Sequence, residues 1–293
     1  MDGVAGKDNP FAYTPTHRKI NEKSMYKLYK TGKEFLDENL KILRRDPLGA
    51  IFFEGNATAI GQCDANNFAA RVEIGGDVLL AIHLGDYPLV VYGSEACARG
   101  LARVVAENKL QFVRVIGYYD IVEKFLTEYE EIVGGSHKVN LSMDIMYCDK
   151  VTPCDTSDVE QATAKDVEEI TRMYAAFLNE ALGENATWGE KNREISKEID
   201  FFALLKICGE IVSIGSQKES GYGLQRISNV YTRPQFRNKG YSRKIVTYLT
   251  EKILKSGDLP CLFVDQHNPV SNHLYQKIGY EYGKSRYEME HIK

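Results

Sequence analysis

"VYTRPQFRNKGYSRKIV", Val230 to Val246, reads as the end of a strand, a polar loop and the start of a helix. Valine, tyrosine and threonine in succession favour extended backbone, and apolar residues recur at helical spacing from Tyr241 through Ile245, Val246, Leu249, Ile253 and Leu254 to a stop at Gly257. Between the two stand Arg237, Asn238, Lys239 and Gly240. The first turn of a helix leaves backbone N–H groups without intrahelical partners, and their partial positive charge attracts anions. A glycine at 240 leaves that backbone uncovered, while Arg237 and Lys239 add cationic donors. The loop suits a pyrophosphate, although an isolated Arg-x-x-Gly is more often a solvated turn. It is not the phosphate loop of nucleoside triphosphatases, because G-x-x-x-x-G-K-[ST] is absent.

About thirty residues on, "DQHNPVSNHLYQKIGY" begins with a strand end at Asp265 and restarts as a helix. Asn268 before Pro269 is a strong helix start, and Gly279 is its natural stop. Ser271 and Tyr275, four residues apart, then share one face of a short helix. Tyr275 alone would more often be a packing residue. The two stretches carry weight together.

Outward from these, "FFALLKI" and "IVSIGSQ" form a hairpin around Cys208-Gly209-Glu210, and "LQRISNVYT" supplies a third strand. Thr163 and Asp166 open a helix with Ile170, Met173 and Phe177 on one face, and "WGEKNREISKEI" is helical. "CLFVD" and "YEYGKSRYEME" are strands. The first half repeats the order: "ARVEI", "DVLLAIHL" and "YPLVVYG" as strands, a helix after Ser94, the strand "QFVRVIG", the helix "YDIVEKFLTEYEEIV" and the strand "HKVNLSMDIMYC". Before them, Met25, Leu28, Tyr29, Phe35, Leu36, Leu40 and Leu43 suit one or two amphipathic helices over 22–45. The polar stretch Asp149 to Asp158 predicts a boundary, giving domains 1–150 and 151–293.

Composition narrows the class. The chain has 293 residues, 43% hydrophobic and 27% charged, within the ordinary range for a globular protein of two domains. A net charge of -4 gives no electrostatic reason to expect a nucleic acid partner. Met1 to Pro10 shows no leader pattern and no apolar run is long enough for a bilayer, so the expectation is a cytoplasmic protein without a membrane partner. Six cysteines without a C-x-x-C pair suggest neither a metal site nor a disulfide framework.

Taken in order, Val230-Tyr231-Thr232, Arg237-Asn238-Lys239-Gly240-Tyr241-Ser242 and Asn268-x-x-Ser271-x-x-x-Tyr275-x-Lys277-x-Gly279-Tyr280 resemble the two main motifs of the GCN5-related N-acetyltransferase (GNAT) superfamily. The ordered match covers about 226–282, and the compatible element order about 160–290. The resemblance implies an α/β fold (an α+β mixed sheet): tandem GNAT-like domains, each a mostly antiparallel sheet flanked by helices. It implies acetyl-CoA as co-substrate and direct acetyl transfer to the primary amine of a small-molecule or amino-acid-like acceptor. Val230, Tyr231 and Thr232 would line the pantetheine and acetyl carbonyl on a strand that splays from the next. Arg237, Asn238, Lys239, Gly240, Tyr241 and Ser242 would wrap the pyrophosphate, with Ser242 standing where the family has Gly or Ala. Asn268 and Ser271 would contact or orient the cofactor, and Tyr275 would protonate the departing thiolate.

No general base follows; Asp265, His267 and Glu190 are all imaginable, and a water chain would serve equally. In the first half Val91-Tyr92 echoes Val230-Tyr231, but the loop is cut short and lacks its Arg-x-x-Gly, so residues 1–150 are expected to be a degenerate copy that binds no acetyl-CoA. A catalytically silent acyl-CoA sensor or scaffold is the rival reading. Acyl-chain preference and acceptor identity stay open, and so does assembly as a homodimer.

Overall fold

The computed structural model describes residues 18–21, 24–183 and 187–293, so Met1 to Pro10 lies outside the described residues. The chain divides into two compact units: residues 1–142 with 285–293, and residues 143–284. A boundary at 150/151 between contiguous halves therefore gives way to one in which the chain's last strand belongs with the first unit. Strand pairing is non-local, and a single sequence carries no mark of which sheet a terminal strand joins.

In the first unit the elements run β1 (Arg18–Asn21), β2 (Ser24–Leu28), α1 (Gly32–Leu43), α2 (Pro47–Ala50), α3 (Phe53–Ala59), β3 (Asn67–Ile74), β4 (Asp77–Leu84), β5 (Leu89–Gly93), α4 (Ala98–Glu107), β6 (Arg114–Gly117), α5 (Tyr119–Val133) and the first part of β7 (Ser136–Tyr147). Strands β1 to β5 pair antiparallel in chain order, β5 and β6 are parallel, and the last strand pairs antiparallel with β6 from Tyr287↔Gly117 to Glu290↔Arg114. Where one or two helices are expected over 22–45, the described residues form a strand, Ser24–Leu28, followed by a helix, Gly32–Leu43. Tyr26 and Leu28 alternate into the core against β3, and Thr31 caps the helix by accepting from the Glu34 amide.

In the second unit follow β8 (Val159–Gln161), α6 (Val167–Leu182), α7 (Trp188–Glu198), β9 (Phe202–Ile207), β10 (Glu210–Gly221), β11 (Leu224–Thr232), α8 (Tyr241–Ser256), β12 (Leu259–Asp265), α9 (Pro269–Ile278) and β13 (Glu281–Ile292), whose last residues form the strand of the first unit just described. The hairpin turn at Cys208-Gly209 has both residues at positive φ, 50° and 84°, as a two-residue turn requires. The Thr163/Asp166 capping box starts the turn that leads into α6. Ile245, Val246, Leu249 and Ile253 of α8 are fully buried against the sheet, each contributing about 1.5–3 kcal/mol by the usual measure of apolar burial. The other face packs on α6 and α7 through Ile170, Met173, Phe202, Ile214 and Tyr231. Each unit is thus a mixed, mostly antiparallel sheet flanked by helices.

Candidate active site

The second unit's site begins with a pairing that stops. Strands β11 and β12 run parallel from Leu224↔Leu259 to Ile227↔Leu262, and no further. Beyond that point β11 pairs with β10, and Phe263 to Asp265 of β12 pair with Ile145 to Met143 at the end of β7. The facing edges between Ser228–Thr232 and Phe263–Asp265 are parted. Backbone groups on such edges need water or a ligand.

A bulge opens this gap. Between Ile214↔Tyr231 and Ser216↔Ser228, Gly215 alone stands opposite Asn229 and Val230. Asn229 takes the left-handed conformation at φ 55°, and its side-chain amide donates to Ser216 Oγ at 3.0 Å. The extra residue locally ends regular pairing and bends the strand. Gly215 is required from the other side, because a β-carbon there would lie 2.6 Å from Ile245 Cγ2 of α8. Val230 packs toward α8, whereas Tyr231 is buried toward α6 and α7.

The loop that follows folds back on β11. Arg237 Nε donates to the Thr232 carbonyl at 3.0 Å, Nη2 pairs with Glu180 at 2.7 Å, and the guanidinium lies 5.5 Å from the Tyr231 ring centroid. Lys239 Nζ sits 5.3 Å over the Phe236 ring. Asn238 and Gly240 have φ of 63° and 82°. Left-handed residues in such a turn fold the backbone into a concavity of N–H groups, the kind of nest that receives anions. Gly240 is the N-cap of α8 with no side-chain cap, and the first turn carries no acidic residue. A β-carbon at Gly240 would meet nothing within 4 Å, so the glycine answers to its backbone angle.

Ser242 has a local job. Its Oγ lies 2.7 Å from Thr232 Oγ1, which lies 2.8 Å from Ser213 Oγ, and Ser213 Oγ donates to the Tyr231 carbonyl. This hydroxyl chain draws Ser242 onto β11 and ties α8 to β10 and β11. Ser213, Asn229 and Glu180 escaped the sequence reading; only the asparagine, a residue type that tolerates positive φ, offered a signal.

On α9, Asn268 Oδ1 accepts from the Ser271 amide at 3.1 Å, so both residues expected to touch a cofactor are joined as cap and first-turn amide. Tyr275 is buried in the cluster with Val246, Leu262 and Ile278, its ring 6.0 Å from that of Tyr280. Burial alone pushes its hydroxyl up to about 12, which keeps it protonated at neutral pH. The three imaginable bases lie at the surface. Asp265 and His267 pair with each other at 3.2 Å, and Glu190 accepts from Thr187 at 2.6 Å. Among the described residues no group of His, Cys, Asp and Glu could hold a metal ion, and no helix is long and apolar enough to cross a membrane.

Residues 217–288, which contain β11, the Arg237–Gly240 loop, α8 and α9, match the model of the FR47-like protein family. Curated proteins gave no match by sequence. Among solved structures, a GNAT-family acetyltransferase from Colwellia psychrerythraea is 12% identical with a TM-score of 0.61, over 92% of this chain and 99% of that one. A Drosophila protein is also 12% identical, with a TM-score of 0.63 over 90% and 98%. A GCN5-related N-acetyltransferase from Sphaerobacter thermophilus is 18% identical, with a TM-score of 0.55 over 77% and 81%. At such identities these likenesses define a fold, and that fold is the one on which GNAT proteins are built. The family match is carried by residues 217–288, and the chain as a whole shares the fold of GNAT proteins.

Proposed function

We propose that the chain transfers an acetyl group from acetyl-CoA to the primary amine of a small-molecule or amino-acid-like acceptor. One observation carries the reading: β11 and β12 part beyond Ile227 and Leu262, beside an uncapped helix start whose loop turns through Asn238 and Gly240 at positive φ. The gap admits an extended pantetheine chain that completes the unpaired strand edge, and the amides from Lys239 to Ser242 receive the diphosphate. Val230 and Thr232 offer backbone groups to the pantetheine and the acetyl carbonyl. Asn268 and Ser271 hold the start of α9, which carries Tyr275.

Direct transfer needs proximity and stabilisation of a departing thiolate, not a covalent enzyme intermediate. Burial keeps the Tyr275 hydroxyl protonated at neutral pH, so it has a proton to offer the departing sulfur. Tyr275 acts as the general acid that protonates the departing thiolate, and the proton lost by the amine restores the tyrosine and balances the reaction. In a screen of amines with acetyl-CoA, free thiol should appear with some of them. Tyr275→Phe should lower kcat about tenfold or more while leaving cofactor affinity within about twofold. Tight acetyl-CoA binding with no thiol release from any amine would favour the silent sensor instead.

A further inference from the structure

The loop motif supplies Arg237 as a phosphate donor, yet its guanidinium is spoken for on three sides: the Thr232 carbonyl, the Glu180 carboxylate and the Tyr231 ring. We infer that Glu180, on α6, is a positioning residue for the coenzyme, acting through Arg237. This rests on the coenzyme reading above.

The loop needs such a brace. Two of its four residues are left-handed, one of them a non-glycine, and a conformation of that kind persists only where its surroundings hold it. Arg237 stands at the entry to this segment. Its bond to Thr232 returns the loop to β11, and Glu180 fixes the guanidinium so that the bond is kept. At the start of α8 Gly240 brings no side chain to the first-turn amides, and the arginine side chain is engaged elsewhere. Arg237 in turn holds the Glu180 carboxyl below its usual range, so the pair is ionised at neutral pH. Both side chains are partly exposed, 51% for Glu180 and 39% for Arg237, and exposed pairs add little to global stability. Removing the carboxylate should therefore disturb the loop and spare the fold.

The test compares two donors on the full chain carrying Glu180→Gln: acetyl-CoA, and S-acetylpantetheine, which lacks the diphosphate. Acetyl-CoA should bind about tenfold more weakly, the order of one lost charge-assisted hydrogen bond, while S-acetylpantetheine binds as before. Amide hydrogen exchange over 237–242 should quicken, with the thermal midpoint unchanged. Unaltered acetyl-CoA affinity, or equal losses for both donors, would overturn the assignment. Absence of acetyl-CoA binding by the unsubstituted chain would instead overturn the coenzyme reading, and this inference with it.

Discussion

The chain builds one cleft twice and leaves one of them open. In the first unit β5 and β6 run parallel at Leu89↔Val115 and Val90↔Ile116, as β11 and β12 do in the second. Where β5 and β6 should part, the turn Asp46–Ile51 is pushed in. A β-carbon on Gly49 would lie 2.5 Å from Tyr118 Oη and 2.6 Å from Tyr92 Cε2. Arg286, fully buried, donates to the Gly49 carbonyl and lies over the rings of Phe52 and Tyr118, while Tyr118 donates to Asp46 at 2.7 Å. The helix start beyond β5 is closed as well: Ser94 accepts from the Ala96 amide, and Glu95 puts a negative charge in the first turn. The second unit has neither cap nor acid there. Two sheets of the same order thus differ at this place by a turn, a cap and one charge, and under the proposed function only the second takes the coenzyme, because a fold supplies a place for chemistry and its loops decide whether the place is used.

The comparison breaks most sharply at the loop. Lys239→Glu with Gly240→Asp places two carboxylates at the anion site and forces a side chain into left-handed backbone, so acetyl-CoA affinity should fall at least a hundredfold in a calorimetric titration. A second, weaker binding event that survives the change would mean that the first unit also takes the coenzyme. A smaller effect tests the filled cleft. Gly49→Ala has no room for its methyl group and should cost about 1–3 kcal/mol of stability, lowering the thermal midpoint by several degrees, with acetyl-CoA affinity unchanged. Lost affinity in that variant would contradict the assignment of separate duties.

The smallest effect concerns the first unit alone. His137 lies 2.9 Å from both Glu123 and Glu130. Burial by itself would lower its pKa, but the two carboxylates outweigh this and raise it above 6.5. A raised folded value means that the stabilisation is complete below about 6.5 and disappears as pH rises through the higher folded value. His137→Gln should therefore lower the thermal midpoint at pH 6 by more than at pH 9. An equal loss at both pH values would show that the ring matters for packing and not for charge.

The open cleft was more legible in the sequence than the filled one. The bounds of β11 and α9, and the start of α8, follow from local signals: β-branched residues, Asn-Pro, and glycine at stops. Those signals act over three or four residues. The short strands β1, β2 and β8 did not announce themselves, because each owes its state to a partner strand far along the chain, and β2 carries apolar spacing that suits a helix equally. Gly49 and Arg286 meet across 237 positions, and nothing in either neighbourhood points to the other. Arg237 was rightly seen as part of the loop, but its partner Glu180 lies 57 residues away on α6, so a cation free for phosphate was the natural reading.

A crystal of the chain grown with acetyl-CoA tests the central claim most directly. The diphosphate should lie within hydrogen-bonding distance of the amides of Lys239 to Ser242, with the pantetheine along Ser228–Thr232 and the Gly49 turn still in place between Tyr92 and Tyr118. Coenzyme density between β5 and β6, or none between β11 and β12 at saturating concentration, would contradict it.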